Sequence, residues 1–410
     1  SEMCIRDRFP PIEEGGDVSG GVMRTGLRVG VSVLAVFAIV LATVATTMSA
    51  PVAAAPGRAG DLVSVTDITD RPDAKVKGAG KVYLITYLSP DHTGKLIAVR
   101  GTVMVPAKPR TGGWRIVGYA HGTAGLGDQC TVTDRMGHEG RYDNWIGPWL
   151  RDGYIIAATE YAGVGSPGVH AYLDGETAAK NVIDSVRAAR TVVAQKTPTP
   201  VSRGYVTSGG SQGGHTAIWA TRISASYAPE LVNVGGMASS PPVHVADYFA
   251  LIRPGVPPVA VPDYVTYFSY VLAGLDAARP DARVFDYLTP LGRKVVADGK
   301  TLCYPNQGRA TRGLTVGQLV SRPLADGPLI PALREHTRVP TSGFGAPMLI
   351  QQGYFDPVAF EPLTSNWVNQ ARRSGAQIDY RQFQAGHGLG AWSETNALAW
   401  SNQQRWPAAG

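Results

Sequence analysis

A chain of 410 residues can form one large domain with a substantial core, or two smaller ones. With 44% hydrophobic and 17% charged residues it is too apolar and too weakly charged to be a disordered protein. The net charge of +6 is spread without a Lys/Arg run, which excludes the usual footprint of a nucleic-acid binder; three cysteines without a C-x-x-C pair supply no zinc or thioredoxin-type motif.

Residues 1–22 lack periodicity and precede Met23; they read as an upstream extension outside the fold. From Met23 the pattern is that of a secretory signal. Arg24 and Arg28 give a positive start, an uncharged apolar run follows, and small residues continue to Ala55. Residues 23–54 are therefore expected to be a signal peptide, cleaved after Ala54 with Val52 at the −3 position. The alternative, a membrane anchor, is disfavoured because the apolar run is short for a span. Export also permits a disulfide.

Residues 55–80 read as a polar, turn-rich surface arm. Residues 81–88 and 96–105 are strands joined by a turn, an antiparallel pair. The strand at 114–120 delivers His121, Gly122 and Thr123. A short helix at 145–152 precedes a buried-type strand at 154–159, and a loop then runs to His170. Ala178, Val182, Val186, Ala189 and Val193 mark one face of a helix over about 176–194. Strands follow at 201–207 and 231–237. Alternating strands and helices imply a mostly parallel sheet covered on both faces, with ligands at the C-terminal ends of its strands.

Residues 241–340 break this alternation. They are rich in proline and aromatics and read as mostly helical. A hundred residues is too long for a loop, so this stretch is expected to be a cap inserted over the rim. The sheet resumes at 348–352 and 378–383 around a helix at 363–373, and a last helix covers 389–403. The domain expectation is thus a core in two parts, 55–240 and 341–410, with a cap or lid at 241–340 between them.

The chemistry centres on Gly209-Gly-Ser-Gln-Gly213. An apolar strand precedes it and a helical segment follows, so this G-x-S-x-G has the setting of a nucleophile elbow. Ser211 must occupy strained backbone to expose its hydroxyl, and Gly209 and Gly213 must let strand and helix approach closely. The Gln212 N–H then points to where an oxyanion forms. A serine hydroxyl needs a base. The chain order Ser…Asp…His requires a late histidine, and His387 is the only one after His336. Asp356 ends the preceding strand and is the candidate orienting acid; Asp379 and Glu361 are its rivals. Thr123 is the second candidate oxyanion donor, through its backbone N–H. His121 and His170 read as structural supports in rim loops and His215 as a packing residue. His92, His138, His244 and His336 read as polar surface residues.

These residues resemble those of the secretory lipases, α/β-hydrolases of fungal and actinobacterial type. The resemblance rests on Tyr119-Ala-His-Gly-Thr-Ala-Gly125, Glu160-Tyr-Ala-Gly-Val-Gly165, His170-Ala-Tyr-Leu173, Gly209-Gly-Ser-Gln-Gly213, Gly353-Tyr-Phe-Asp356 and Gly386-His387. It implies an α/β-hydrolase fold, a Ser211–His387–Asp356 triad, an oxyanion hole of Thr123 and Gln212, and a lipid-facing lid at 241–340. Glu160, where the family often has Asp, and Gly210, where Tyr or His is more usual, depart from the pattern and bear on the acyl pocket.

The expected function is a secreted serine ester hydrolase, a lipase or carboxylesterase working through an acyl-enzyme. A peptidase or acyltransferase on the same triad, or a catalytically dead binding protein, are the alternatives. Neither cofactor nor metal nor nucleic acid is expected. The expected partner is a small-molecule or lipid ester, free or at a lipid or polymer surface; cell-wall association of the secreted protein is left open. Cys4 lies in the leader, so Cys130 and Cys303 have one pairing available, a disulfide tying cap to rim. Two buried free thiols are the alternative.

Overall fold

The computed structural model describes residues 57–140 and 142–409; the expected leader and its cleavage site lie outside the described residues. A nine-stranded sheet runs in the order β1-β2-β3-β5-β4-β6-β7-β8-β9. The strands β1 (Leu62–Asp67), β2 (Ala79–Pro90) and β3 (Leu96–Pro106) form an antiparallel flank. From β4 (Trp114–Ala120) and β5 (Tyr154–Thr159) through β6 (Val201–Gly210), β7 (Val232–Ser239), β8 (Met348–Gly353) and β9 (Ile378–Phe383) the pairing is parallel. Residues 62–67, expected to be part of a surface arm, are instead an edge strand on β2.

Side-chain alternation builds two cores. Ile116, Ile155 and Tyr205 point to the face covered by α2 (Gly175–Lys196) and α3 (Gln212–Tyr227). Their neighbours Val117, Ile156 and Val206 point to the face covered by α1 (Gly147–Arg151) and α11 (Ala391–Asn402). Every residue of β5 is buried, as a central strand covered on both faces requires. The strands carry β-branched residues for the same reason, since these fit a pleated surface packed on each side.

Between β7 and β8 the chain is helical: α4 (Val245–Phe249), α5 (Tyr264–Ala278), α6 (Pro290–Gly299), α7 (Tyr304–Ala310), α8 (Val316–Leu319) and α9 (Leu329–His336). These helices share an apolar cluster that includes Phe249, Phe268, Leu272 and Leu333, and it closes on Leu126, Tyr172 and Leu173 of the core. Helix α10 (Glu361–Arg373) then joins β8 to β9.

Candidate active site

Strand β4 lies between β5 and β6 and runs parallel to both, so the loops after β4 and β6 meet at the C-terminal rim. Ala120 pairs with Gly209 across them. Ser211 follows at φ 54°, ψ −120°, a strained conformation for a residue with a Cβ, and it caps α3. The close approach explains the glycines. A Cβ on Gly213 would collide with the Ala120 carbonyl, and one on Gly209 would collide with Gly213. The Ser211 N–H is held by the Ser239 carbonyl at 2.8 Å.

His387 lies in the loop between β9 and α11. Its Nδ1 is 2.9 Å from Oδ2 and 3.0 Å from Oδ1 of Asp356. A carboxylate only accepts, so Nδ1 carries a hydrogen, and in the neutral ring the lone pair is therefore on Nε2. Asp356 is 2% exposed, so only internal partners can satisfy it. Oδ1 accepts from the Val358 and Ala359 N–H groups at 2.9 and 2.8 Å, and Oδ2 accepts from Gln352 at 3.1 Å. Burial opposes its ionisation, but the hydrogen bond and charge of His387 with these N–H groups hold its carboxyl below the usual range. Ser240, next to the carbonyl that holds Ser211, donates from Oγ to the His387 carbonyl at 3.1 Å. The structure thus brings His387 and Asp356 together, and Ser211 lies on the same rim, joined to them through Ser239 and Ser240. Among the described residues no hydrogen bond links the Ser211 hydroxyl to His387.

The rival acids are occupied elsewhere. Asp379 pairs with Arg381 on β9 at 2.7 Å, and Glu361 accepts from Tyr380 at 3.0 Å. The side-chain hydrogen bonds of His387 go to Asp356, and its carbonyl accepts from Ser240.

The loop carrying Thr123 lies against the elbow, with Gly122 packed toward the Gly210 carbonyl. The Thr123 hydroxyl and the Tyr172 hydroxyl are 2.7 Å apart. The Gln212 side chain donates to Nε2 of His170 at 2.7 Å, and His170 Nδ1 donates to the Ala162 carbonyl at 3.0 Å. Burial pushes His170 down to about 3, so it is neutral and its tautomer is set by Ala162. The Tyr161 ring stacks on His170 at 5.3 Å, and its hydroxyl donates to the His121 carbonyl at 2.8 Å. Glu160, 1% exposed, accepts from the Val132 and Thr133 N–H groups and anchors the loop that leads to Cys130. His121 and His170 are buried beneath the rim, as supports must be, and His215 is buried on α3 facing the Thr337 carbonyl.

Of the four histidines expected at the surface, His138 is exposed, while His92, His244 and His336 are half-buried. His336 is half-buried and donates from Nε2 to the Tyr172 carbonyl at 2.9 Å. His244 is half-buried beside Asp247, with 3.3 Å between Nδ1 and Oδ2. Tyr172, Tyr161 and Ser240 were not legible as site residues. In the backbone, Tyr161 and Ser240 have positive φ without being glycine, as does Leu173 next to Tyr172.

Cys130 and Cys303 form a disulfide, with 5.2 Å between their Cα atoms, as expected from the cysteine count. The bridge lies where the loop after Thr123 meets the helical insertion. The Tyr304 N–H bonds the Ala124 carbonyl at 2.9 Å beside it.

The model of the secretory lipase family matches residues 140–303. Over that stretch the chain is similar to the secretory lipases. A lipase A from Moesziomyces aphidis is 24% identical over 251 residues, covering 58% of this chain and 51% of that protein. This chain thus spans about half the length of the curated relative it matches. Among solved structures, Candida antarctica lipase A superposes with a TM-score of 0.64 at 20% identity, over 81% of this chain and 78% of that one. The rice cell wall degrading esterase LipA from Xanthomonas oryzae gives 0.67 at 17% identity, over 85% and 99%. A putative hydrolase from Legionella pneumophila gives 0.69 at 18% identity, over 83% and 97%. At these identities the likeness establishes the fold. It is the α/β-hydrolase fold, with its mostly parallel sheet between helical layers.

Proposed function

We propose that this secretory-lipase relative is a serine ester hydrolase in which Ser211 is the nucleophile, His387 the base and Asp356 the orienting acid. The observation that carries this reading is a strained serine at a strand-to-helix turn on the same rim as a histidine whose Nδ1–H is held by a buried carboxylate. Nε2 takes the Ser211 proton as Oγ attacks the ester carbonyl, and the imidazolium forms against Asp356. The backbone N–H groups of Gln212 and Thr123 stabilise the oxyanion. His387 then protonates the leaving alcohol and activates the water that cleaves the acyl-enzyme.

The substrate is an acyl ester, as the lipase and esterase names of the relatives suggest. The helices of 241–340 act as its cap, since their apolar cluster rests on the rim that carries Tyr172. Export is supported by the secretory family match and by the signal-like sequence of residues 23–54. Among the described residues no helix is long and apolar enough to cross a membrane.

A fluorophosphonate probe should label the wild type at Ser211 and leave Ser211→Ala unlabelled. Hydrolysis of p-nitrophenyl esters from acetate to palmitate should fall by about four decades or more in His387→Ala, and strongly in Asp356→Asn. Labelling that survives Ser211→Ala, or a larger loss in Asp379→Asn than in Asp356→Asn, contradicts the assignment.

A further inference from the structure

Both proposed oxyanion residues are held from one short segment, 170–172. Gln212 reaches it through its side-chain amide, which donates to His170 Nε2 at 2.7 Å. Thr123 reaches it through its hydroxyl, 2.7 Å from the Tyr172 hydroxyl. From these two bonds, and resting on the functional reading above, we propose that His170 and Tyr172 are positioning residues that set the two oxyanion donors against each other.

The His170 bond has only one workable form. Nδ1 faces the Ala162 carbonyl, which cannot donate, so Nδ1 holds the hydrogen and Nε2 must accept. The Gln212 amide therefore presents its nitrogen to His170, and its orientation is determined. His170 is 4% and Gln212 3% exposed, so water offers neither group a substitute partner. The Gln212 side chain and its backbone N–H belong to the first residue of α3. Fixing the side chain limits how that first turn can rock against Ser211.

The segment is itself braced on three sides. The Tyr161 ring stacks flat on His170, 12° from parallel, and its hydroxyl ties back to the His121 carbonyl two residues before Thr123. The His336 side chain at the end of α9 donates to the Tyr172 carbonyl at 2.9 Å. Helix α5 presses so closely that a Cβ on Gly274 would lie 2.5 Å from the Tyr172 nitrogen, and the Tyr270 ring sits 6.0 Å from that of Tyr172. Neither His170 nor Tyr172 is assigned contact with the reacting atoms. Their effect passes through Gln212 and Thr123. An oxyanion donor works only when aimed at the charge that develops, so loss of aim lowers transition-state binding and spares ground-state binding.

His170→Phe keeps a ring to stack on Tyr161 and removes the acceptor. Tyr172→Phe removes only the hydroxyl. His170→Gln restores an acceptor near the position of Nε2. Enzyme is counted by complete fluorophosphonate titration, so unfolded protein does not enter the rates. With p-nitrophenyl butyrate, kcat should fall about 10- to 100-fold in each Phe variant while KM stays within about twofold, and His170→Gln should recover part of the loss. Affinity for an alkyl boronic acid, whose adduct carries an oxyanion, should fall in step with kcat/KM. Titratable variants with wild-type kcat, or losses confined to KM, overturn the proposal. Crystal structures of the two Phe variants read it without activity: displacement of Gln212 or Thr123 supports it, and both residues unmoved overturns it. A wild type that hydrolyses no ester and leaves Ser211 unlabelled sinks the functional reading instead, and the crystal structures still decide the positioning.

Discussion

Three glycines surround Ser211, and the space around each differs. Gly213 starts α3 directly against the Ala120 carbonyl, so any Cβ there must push helix and strand apart. Gly209 has the same problem against Gly213. Gly210, by contrast, would meet nothing nearer than the Ser239 carbonyl at 3.8 Å, an ordinary contact. Gly213→Ala should therefore abolish ester hydrolysis and destabilise the fold by about 1–3 kcal/mol, as overpacking does. Gly210→Ala should fold and stay active, with any change confined to preference among acyl chains. Equal damage from both, measured by urea unfolding and p-nitrophenyl ester rates, would show that the elbow is not set by this packing. The sequence motif requires Gly209 and Gly213 and leaves Gly210 free, and the packing follows the same division.

At the scale of elements, periodicity placed most strands and helices because each is buried on a defined face. The one strand it missed is instructive. In β1 the apolar residues Leu62, Val63 and Val65 do not alternate, and Val63 is 54% exposed, so the strand is specified by pairing with β2 rather than by a buried face. The triad candidates were legible because strand ends, chain order and glycine flanks point to them. The supports were not, because the Gln212–His170 and Thr123–Tyr172 bonds join residues far apart in sequence.

Helix α11 shows a cost that no periodicity reveals. Its Glu394 is 6% exposed and accepts a hydrogen bond from the Trp149 indole at 3.0 Å. Burial pushes its carboxyl up from the ordinary 4.5 to about 7, only partly offset by that bond. Below about pH 4.5 the carboxyl is protonated in both folded and unfolded chains and exacts nothing. As pH rises toward 7 the unfolded chain ionises first, so the folded state loses ground until its own carboxyl ionises. The loss amounts to about 3 kcal/mol for a shift of this size. Glu394→Gln can keep the indole bond through its carbonyl and has no proton to lose. Urea unfolding at pH 5 and pH 8 should show the variant gaining on the wild type at the higher pH. Parallel profiles would mean that Glu394 ionises in the folded protein as freely as in water.

For the molecule as a whole, the question is how the helical insertion stays registered on the sheet that carries the site. Its apolar cluster takes in Leu126, Tyr172 and Leu173 of the core, and the Cys130–Cys303 bridge adds a covalent tie. Around the bridge, Gly125 pairs with Cys303, the Tyr304 N–H bonds the Ala124 carbonyl, and Gln129 donates to the Thr301 carbonyl at 2.6 Å. All of these grip residues 124–130, the segment that continues from Thr123. The bridge spans a sequence separation of 173, so it removes a large share of the freedom of the unfolded chain. The chain-entropy model puts its contribution at about 5 kcal/mol for so long a loop, an upper figure where the unfolded chain retains structure. Cys130→Ser with Cys303→Ser should lower the free energy of unfolding in urea by a few kcal/mol, up to about 5. Because the bridge anchors the segment after Thr123, the folded double variant should also lose kcat more than KM. An unchanged urea midpoint would place the stability of the assembly in the apolar cluster alone. A lower midpoint with unchanged kcat would show that the hydrogen bonds of Ala124 and Gln129 suffice to keep Thr123 aimed, and that the bridge serves the fold and not the chemistry.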